Sequence, residues 1–204
     1  PPYLPFRRTS LALLEAIFPD SQAGLQYLTR KFPEYSALYK TALLGVEDPG
    51  FITLPSTDGV FRVISCSMLV PIKRVNLLFD GILCAAQMRP DQQLEWTHMG
   101  NGSIRTELQE NADRHFPGNA RAFFPGYSNK DALMKFYRNE PADVFINVSS
   151  SEGTPVAVME AVSCGIPVIA TAVGGNQEIV SEKNGMLLSA NPTPEEIAKA
   201  ILAL

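Results

Sequence analysis

Residues 143–171 read DVFINVSSSEGTPVAVMEAVSCGIPVIAT. Asp143 to Val148 is a short apolar run bounded by polar residues, as expected of a strand buried on both faces. Ser149 to Thr154 is a loop of serines, one glutamate and Gly153. Pro155 to Cys164 reads as a helix, with Pro155 in its first turn and Gly165 just past its end. Pro167 to Thr171 is apolar and β-branched, a second strand. Strand, helix and strand in this order make a parallel pair, because such strands need a crossover.

The same alternation extends both ways. Upstream, Phe61 to Ser67, Leu94 to Met99 and Ala120 to Phe124 read as strands. The helices between them are Lys73 to Met88, Ser103 to His115 and Ser128 to Arg138, the last with Ser128 and Asp131 spaced as a capping box. Lys73 to Met88 carries Val75, Leu78, Phe79, Ile82 and Ala86 on one face. Downstream come a short helix, Gly175 to Ser181, and a short strand, Met186 to Leu188. Thr193-Pro194-Glu195-Glu196 then starts a helix running to Leu204. Six strands alternating with helices specify an α/β fold, a doubly wound, Rossmann-like parallel sheet.

The front of the chain differs. An apolar run, Leu11 to Pro19, precedes a helix, Gln22 to Phe32, opened by Ser21, and a short strand, Thr41 to Val46. Residues 47–60 carry two prolines, two glycines and three acidic residues up to Gly59, and read as a linker. The division is thus 1–46, 47–60 and 61–204. One strand and one helix cannot bury themselves, and the last helix is still periodic at Leu204, so both ends are expected to be cut from a longer chain.

Composition narrows the function. The chain has 204 residues, 46% hydrophobic and 19% charged, which excludes intrinsic disorder. Its net charge of −4 argues against a nucleic-acid binder. No apolar run approaches the roughly 18 residues of a membrane span, and no signal peptide is visible. Cys66, Cys84 and Cys164 are too scattered for a disulfide framework or a metal knuckle. They fit small buried residues in a reducing cytosol. His98, beside Trp96 in a strand, reads as a packed histidine.

Chemistry concentrates in the loop from Ser149 to Pro155. In doubly wound sheets, ligands bind outside the carboxyl ends of the strands. There the first turn of a helix offers free N–H groups and a positive dipole end. Gly153, Thr154 and Pro155 therefore mark an anion site suited to a phosphate. Glu152 lies in the loop and Glu160 eight residues later. That spacing leaves them roughly 80° apart around a helix and roughly 10 Å apart along it, so both can face one cleft. Carboxylates bind vicinal hydroxyls well.

Glu152-x7-Glu160 stands within Ser149-x-x-Glu152-Gly153-Thr154-Pro155, Met159-Glu160-Ala161, Cys164-Gly165-Ile166-Pro167-Val168-Ile169-Ala170-Thr171 and Val173-Gly174-Gly175-x-x-Glu178. Together these resemble the donor-binding half of the retaining GT-B glycosyltransferases of group 1 (family 4). The resemblance runs from about Ser65 to Leu188. It includes Pro71-Ile72-Lys73-Arg74-Val75, Met99-Gly100-Asn101-Gly102 and Phe124-Pro125-Gly126-Tyr127-Ser128, and more loosely Leu44-Gly45-Val46-Glu47. It implies that residues 61–204 form the nucleotide-sugar domain and residues 1–46 the last helix and strand of an acceptor domain.

It also implies roles. Glu152 would bind the transferred sugar and Lys73 the donor diphosphate, without a metal or other cofactor. Gly153 and Thr154, with Pro155, would meet the phosphate or donor sugar, and Glu160 the ribose hydroxyls. Gly126 and Tyr127 would lie near the base. The family commonly has Gly-Arg-Leu where this chain has Ser67-Met68-Leu69, so one of two usual diphosphate cations is missing. Arg74 is the neighbour that could replace it.

The expected protein is a cytoplasmic retaining hexosyltransferase of polysaccharide biosynthesis. Its partners would be a nucleotide-sugar donor and a carbohydrate or lipid-linked acceptor, the acceptor bound through the missing domain. Peripheral membrane contact of the full-length protein is possible, and the fragment alone is expected to be inactive. The rivals are a non-catalytic nucleotide-sugar-binding module, a degraded transferase that Met68 favours, and a nucleotide-sugar 2-epimerase on the same fold. A dinucleotide dehydrogenase is disfavoured, because Gly100-Asn101-Gly102 lacks the third glycine of that fingerprint, position 105 being Arg105.

Overall fold

The computed structural model describes residues 7–204. The first six residues of the 1–46 segment lie outside them. The chain divides into two compact units between Gly45 and Val46.

In the first unit, α1 (Arg7–Leu11) precedes α2 (Gln22–Lys31). Ser21 caps α2, its Oγ accepting from the Gly24 N–H at 3.2 Å. A 3-10 turn, Pro33–Leu38, follows. The expected strand over Thr41 to Val46 does not form. That stretch finds only two carbonyls, Ala42 N–H donating to Pro19 O and Leu44 N–H to Asp20 O. A strand needs a ladder, and the parallel bridge here pairs Ile17 with Tyr39 instead.

The second unit is the sheet. Its strands are β1 (Val60–Cys66), β2 (Gln93–Met99), β3 (Ala120–Gly126), β4 (Val144–Asn147), β5 (Val168–Thr171) and β6 (Gly185–Leu188). The helices are α3 (Val75–Met88), α4 (Arg105–His115), α5 (Lys130–Asn139), α6 (Val156–Ser163), α7 (Asn176–Ile179) and α8 (Pro194–Ile201). All pairings are parallel, in the order β3-β2-β1-β4-β5-β6. Side-chain alternation sends Val63, Val144 and Ile146 to one face, under α3, α4 and α8. Ile64 and Phe145 go to the other, under α5 and α6. Both faces are covered at the centre, which is why β4 and β5 are buried throughout and nearly all apolar, while the edge strand β3 alternates buried and exposed residues. The order reverses between β1 and β4, so their following loops diverge and open a crevice.

Three helix starts fall two residues later than expected, one of them α4, which begins at Arg105 rather than Ser103. Lys73 belongs to a 3-10 turn, Pro71–Lys73, and α3 begins only at Val75, because Arg74 between them has φ 49°. The cap of α5 is Asn129, not Ser128: its Oδ1 accepts from the Ala132 N–H at 2.9 Å. Residues 47–59 are irregular but belong to the second unit. Thr53 N–H donates to Cys164 O, and Ser56 N–H donates to Asp143 Oδ1, both at 2.8 Å.

His98 is fully buried in a polar chain at the carboxyl ends of β1 and β2. Trp96 Nε1–H donates to Ser65 Oγ at 2.8 Å, which leaves the Ser65 hydroxyl proton for His98 Nδ1 at 2.8 Å. The ring proton is then on Nε2 and donates to Ser67 O at 3.1 Å. Burial pushes the imidazole pKa down to about 4. An unfolded histidine protonates near 6.5, so this stability is complete above that pH and is lost as pH falls from about 6.5 to about 4. The loss should reach about 3 kcal/mol. Urea midpoints between pH 7 and 4.5 should fall further for wild type than for His98→Gln, and equal losses would refute the assignment.

Candidate functional site

The crevice between the β1 and β4 loops is a cleft of about 520 Å³. Its floor is the carboxyl ends of three strands, presented as Cys66, Met99 and Asn147. The first wall is Ser67, Met68 and Lys73; the second is Glu152, the start of α6 and Glu160; Gly100, Asn101, Tyr127 and Ser128 close the far end.

Each wall is built from backbone. Ser67 N–H donates to Met99 O at 3.0 Å and Leu69 N–H to Asn101 O at 2.9 Å, so the loop after β1 is laced to β2. Asn147 ends a buried strand and turns its amide into the next loop. Its Oδ1 accepts from Ser149 N–H at 3.0 Å, and its Nδ2 donates to Glu152 Oε1 at 3.0 Å. Thr171 Oγ1 donates to Ser149 O at 2.6 Å. Behind the loop, Gly174 has φ 49°, and a Cβ there would lie 1.9 Å from Glu152 O. A Cβ on Gly175 would lie 2.3 Å from Gly153 O, which accepts the Gly175 N–H at 3.0 Å. Only a glycine pair lets β5's loop back Glu152 this closely.

The charged groups are few. Lys73 Nζ donates to Glu152 Oε1 at 2.7 Å, with the glutamate side chain only 7% exposed and the lysine 26%. Burial pushes the Glu152 carboxyl up, but hydrogen bonds from Lys73, Ser149 and Asn147 outweigh it, and its pKa is lowered. Glu160 is the opposite case. Burial raises its pKa against the pull of Lys130, and its carboxylate makes no hydrogen bond or ion pair among the described residues. Two carboxylates in one cleft thus have environments that push them apart: Glu152 is held ionised, and Glu160 offers open acceptor oxygens. Met68 is 68% exposed at the cleft wall, and among the described residues Lys73 is the lone basic side chain lining it.

Of the sequence-derived candidates, the cleft gathers Lys73, Glu152, Thr154, Pro155, Glu160 and Tyr127. Gly153 and Gly126 lie behind it as backbone: Gly126 has φ 95° and its O accepts the Gly100 N–H at 2.9 Å. Arg74 does not reach it. Its guanidinium is spent on Val148 O, Ser149 O, Ala190 O and Asn191 Oδ1, so it does not supply the second cation in place of Met68. It is the one described non-glycine residue at positive φ, a conformation costing about 1 kcal/mol. Asn147 was missed; its signal is an asparagine ending an otherwise apolar strand. Among the described residues, no group of three or more histidine, cysteine or carboxylate side chains is placed to hold a metal, and no helix is long and apolar enough to cross a membrane.

The family model described as "Glycosyl transferases group 1" matches residues 55–204. A phosphatidylinositol N-acetylglucosaminyltransferase subunit of Arabidopsis thaliana is 26% identical over 147 residues, 72% of this chain and 31% of that protein. The UDP-N-acetylglucosamine–peptide N-acetylglucosaminyltransferase GtfA subunit of Streptococcus agalactiae is 28% identical over 144 residues, 69% of this chain and 27% of its own. The chain therefore spans under a third of these relatives' length. A mutant of S. aureus TarM, solved with Fondaparinux, alpha-GlcNAc-glycerol and UDP, superposes with a TM-score of 0.76 at 20% identity, covering 96% of this chain and 38% of its own. That likeness establishes the GT-B type of sheet.

Proposed function

The chain belongs to the group 1 glycosyl transferases, and from that premise we propose that its second unit binds a nucleotide-diphosphate sugar for retaining transfer of a hexose to an acceptor hydroxyl. The observation that carries the reading is the Lys73–Glu152 pair at the crevice between β1 and β4, facing an unpaired Glu160 on α6. A diphosphate laid across the start of α6 meets the Lys73 ammonium and the helix dipole, a charge contact that uses no metal. Gly153 and Thr154 offer backbone N–H groups there. Glu152, freed from Lys73 by the phosphate, accepts from hydroxyls of the transferred sugar. Glu160 accepts from the ribose diol. Tyr127, 79% exposed, lies where a base stacks.

Catalysis on this reading is positioning, plus stabilisation of the charge that grows on the departing diphosphate. The acceptor, carbohydrate or lipid-linked, is held by a partner domain in the full-length protein, which works on the cytoplasmic side with peripheral membrane contact. The 204-residue chain alone binds donor and does not turn over. Exposed Met68 favours a second reading, a binding module that has lost catalysis.

The test is thermal melting of the chain with UDP, GDP, ADP and dTDP. The UDP-N-acetylglucosamine transferase relative and the UDP-bound TarM mutant put UDP first. One nucleotide at about 100 times its Kd should add roughly 2.7 kcal/mol, a shift of several degrees. A cooperatively melting chain that responds to none of the four would sink the donor reading. Sugar transfer by the chain alone would sink the division of labour.

A further inference from the structure

Lys73 and Glu152 sit on different loops, and one side chain outside the cleft ties those loops together. Arg74 follows Lys73. Its Nε–H donates to Val148 O at 2.6 Å, and one terminal nitrogen donates to Ser149 O at 2.8 Å and Ala190 O at 3.0 Å. The other terminal nitrogen donates to Asn191 Oδ1 at 3.1 Å. Val148 and Ser149 begin the loop that carries Glu152. On the other side of Lys73, Ile72 O accepts from Ser150 N–H at 2.8 Å and from Ser150 Oγ at 3.2 Å. Lys73 is thus bracketed by two residues, both bound to the Glu152 loop.

The clamp is selective for a guanidinium. One planar fork reaches carbonyls on two separate loops, 148–149 and 190, which a lysine ammonium cannot span together. All its acceptors are neutral, and Arg74 makes no ion pair with a described residue. The backbone at φ 49° is a conformation glycine adopts freely, yet an arginine is kept there. We propose that Arg74 is a positioning residue that presets the spacing of Lys73 and Glu152, so that the donor's diphosphate and sugar are met by a site already assembled. The ligand half of this statement rests on the proposed function; the geometric half does not.

The experiment separates them. In the chain without nucleotide, 13C-labelled glutamate carboxyls are titrated by NMR, with Glu152 assigned through Glu152→Gln. Wild-type Glu152 should titrate below the ordinary carboxylate range. In Arg74→Gly, which relieves the backbone while removing the clamp, the midpoint should move up toward that range. Arg74→Lys keeps a cation but not the fork, and should move it the same way. UDP affinity should fall about tenfold in Arg74→Gly, but less than about twofold when that change is added to Lys73→Met. An unmoved Glu152 midpoint in whichever Arg74 variant folds overturns the proposal. So does an equal loss of affinity with and without Lys73, which marks a merely structural residue. If UDP binds none of these proteins, the donor reading fails, while the titration still decides on Arg74.

Discussion

Lys73→Met should weaken UDP binding by about a hundredfold and reverse the sign with which acid acts on the contribution of Glu152 to stability. The first effect follows from charge: among the described residues Lys73 is the lone basic side chain lining the cleft, and a charge-assisted contact to phosphate is lost outright. The second follows from what the lysine leaves behind. The Glu152 side chain is 7% exposed, and without the ammonium it keeps only neutral partners such as Asn147. Removing one member of a buried pair costs more than the pair contributes; with Lys73 partly exposed, about 2 kcal/mol at pH 7 is expected.

On Glu152 alone, acid acts with opposite signs in the two proteins, while its effect through His98 is common to both. In wild type the folded-state pKa of Glu152 is lowered, so its contribution is present above the unfolded value and is lost as pH falls through the folded one. In the variant burial dominates and the folded pKa is raised, so protonation relieves the strain and stability is regained as pH falls. The gap between the two proteins in urea melts should narrow from pH 7 to 4.5. A gap that stays constant would mean Glu152 is not governed by Lys73.

The same pair shows what a sequence can and cannot disclose. Glu152, Glu160, Thr154 and Pro155 were legible because they lie within nine residues on one loop-helix unit, where helical geometry alone relates them. Lys73 is 79 residues from Glu152, and only the register of β1 against β4 brings them together. The resemblance singles it out as a candidate for the donor diphosphate. Its engagement by Glu152 was not legible, because no local rule states which charged groups meet across a crevice. The placing of Arg74 outside the cleft was hidden for a related reason. A basic residue beside Lys73 reads as a second phosphate ligand, but the left-handed backbone at φ 49° turns its side chain toward the carbonyls of the neighbouring loops.

The sheet itself was legible nearly strand by strand, because central strands buried on both faces carry apolar runs such as Val144 to Ile146 and Val168 to Ala170, while the edge strand β3 alternates. Errors fell at element ends, where single hydrogen bonds decide: Asn129 instead of Ser128 at α5, Val75 instead of Lys73 at α3. The misread strand, Thr41 to Val46, is apolar enough for the role. It fails because strand structure is a property of pairs, and among the described residues no neighbouring strand receives it.

Glu160→Ala should remove most of the stabilisation that UDP gives while leaving the free protein at least as stable. The two halves have one cause. Glu160 is partly desolvated, and its carboxylate has no hydrogen-bonding or ion-pairing partner among the described residues, so its raised pKa records an unfavourable charge held in place. Such a group is stabilising only when a ligand supplies donors, and a ribose diol supplies two. Deleting it should therefore cost nothing without nucleotide and about 2 kcal/mol with it, the worth of a charge-assisted pair. At a UDP concentration near 100 times the wild-type Kd, that leaves under roughly 1 kcal/mol of the expected 2.7. Because the diol binds the ionised form, wild-type affinity should also decline as pH falls through a range above that of an ordinary glutamate. Glu160→Gln, which cannot titrate, should show a weaker but flatter profile. If Glu160→Ala melts lower than wild type without ligand yet shifts equally with UDP, the residue is part of the scaffold, and the ribose must be held by other groups along the cleft.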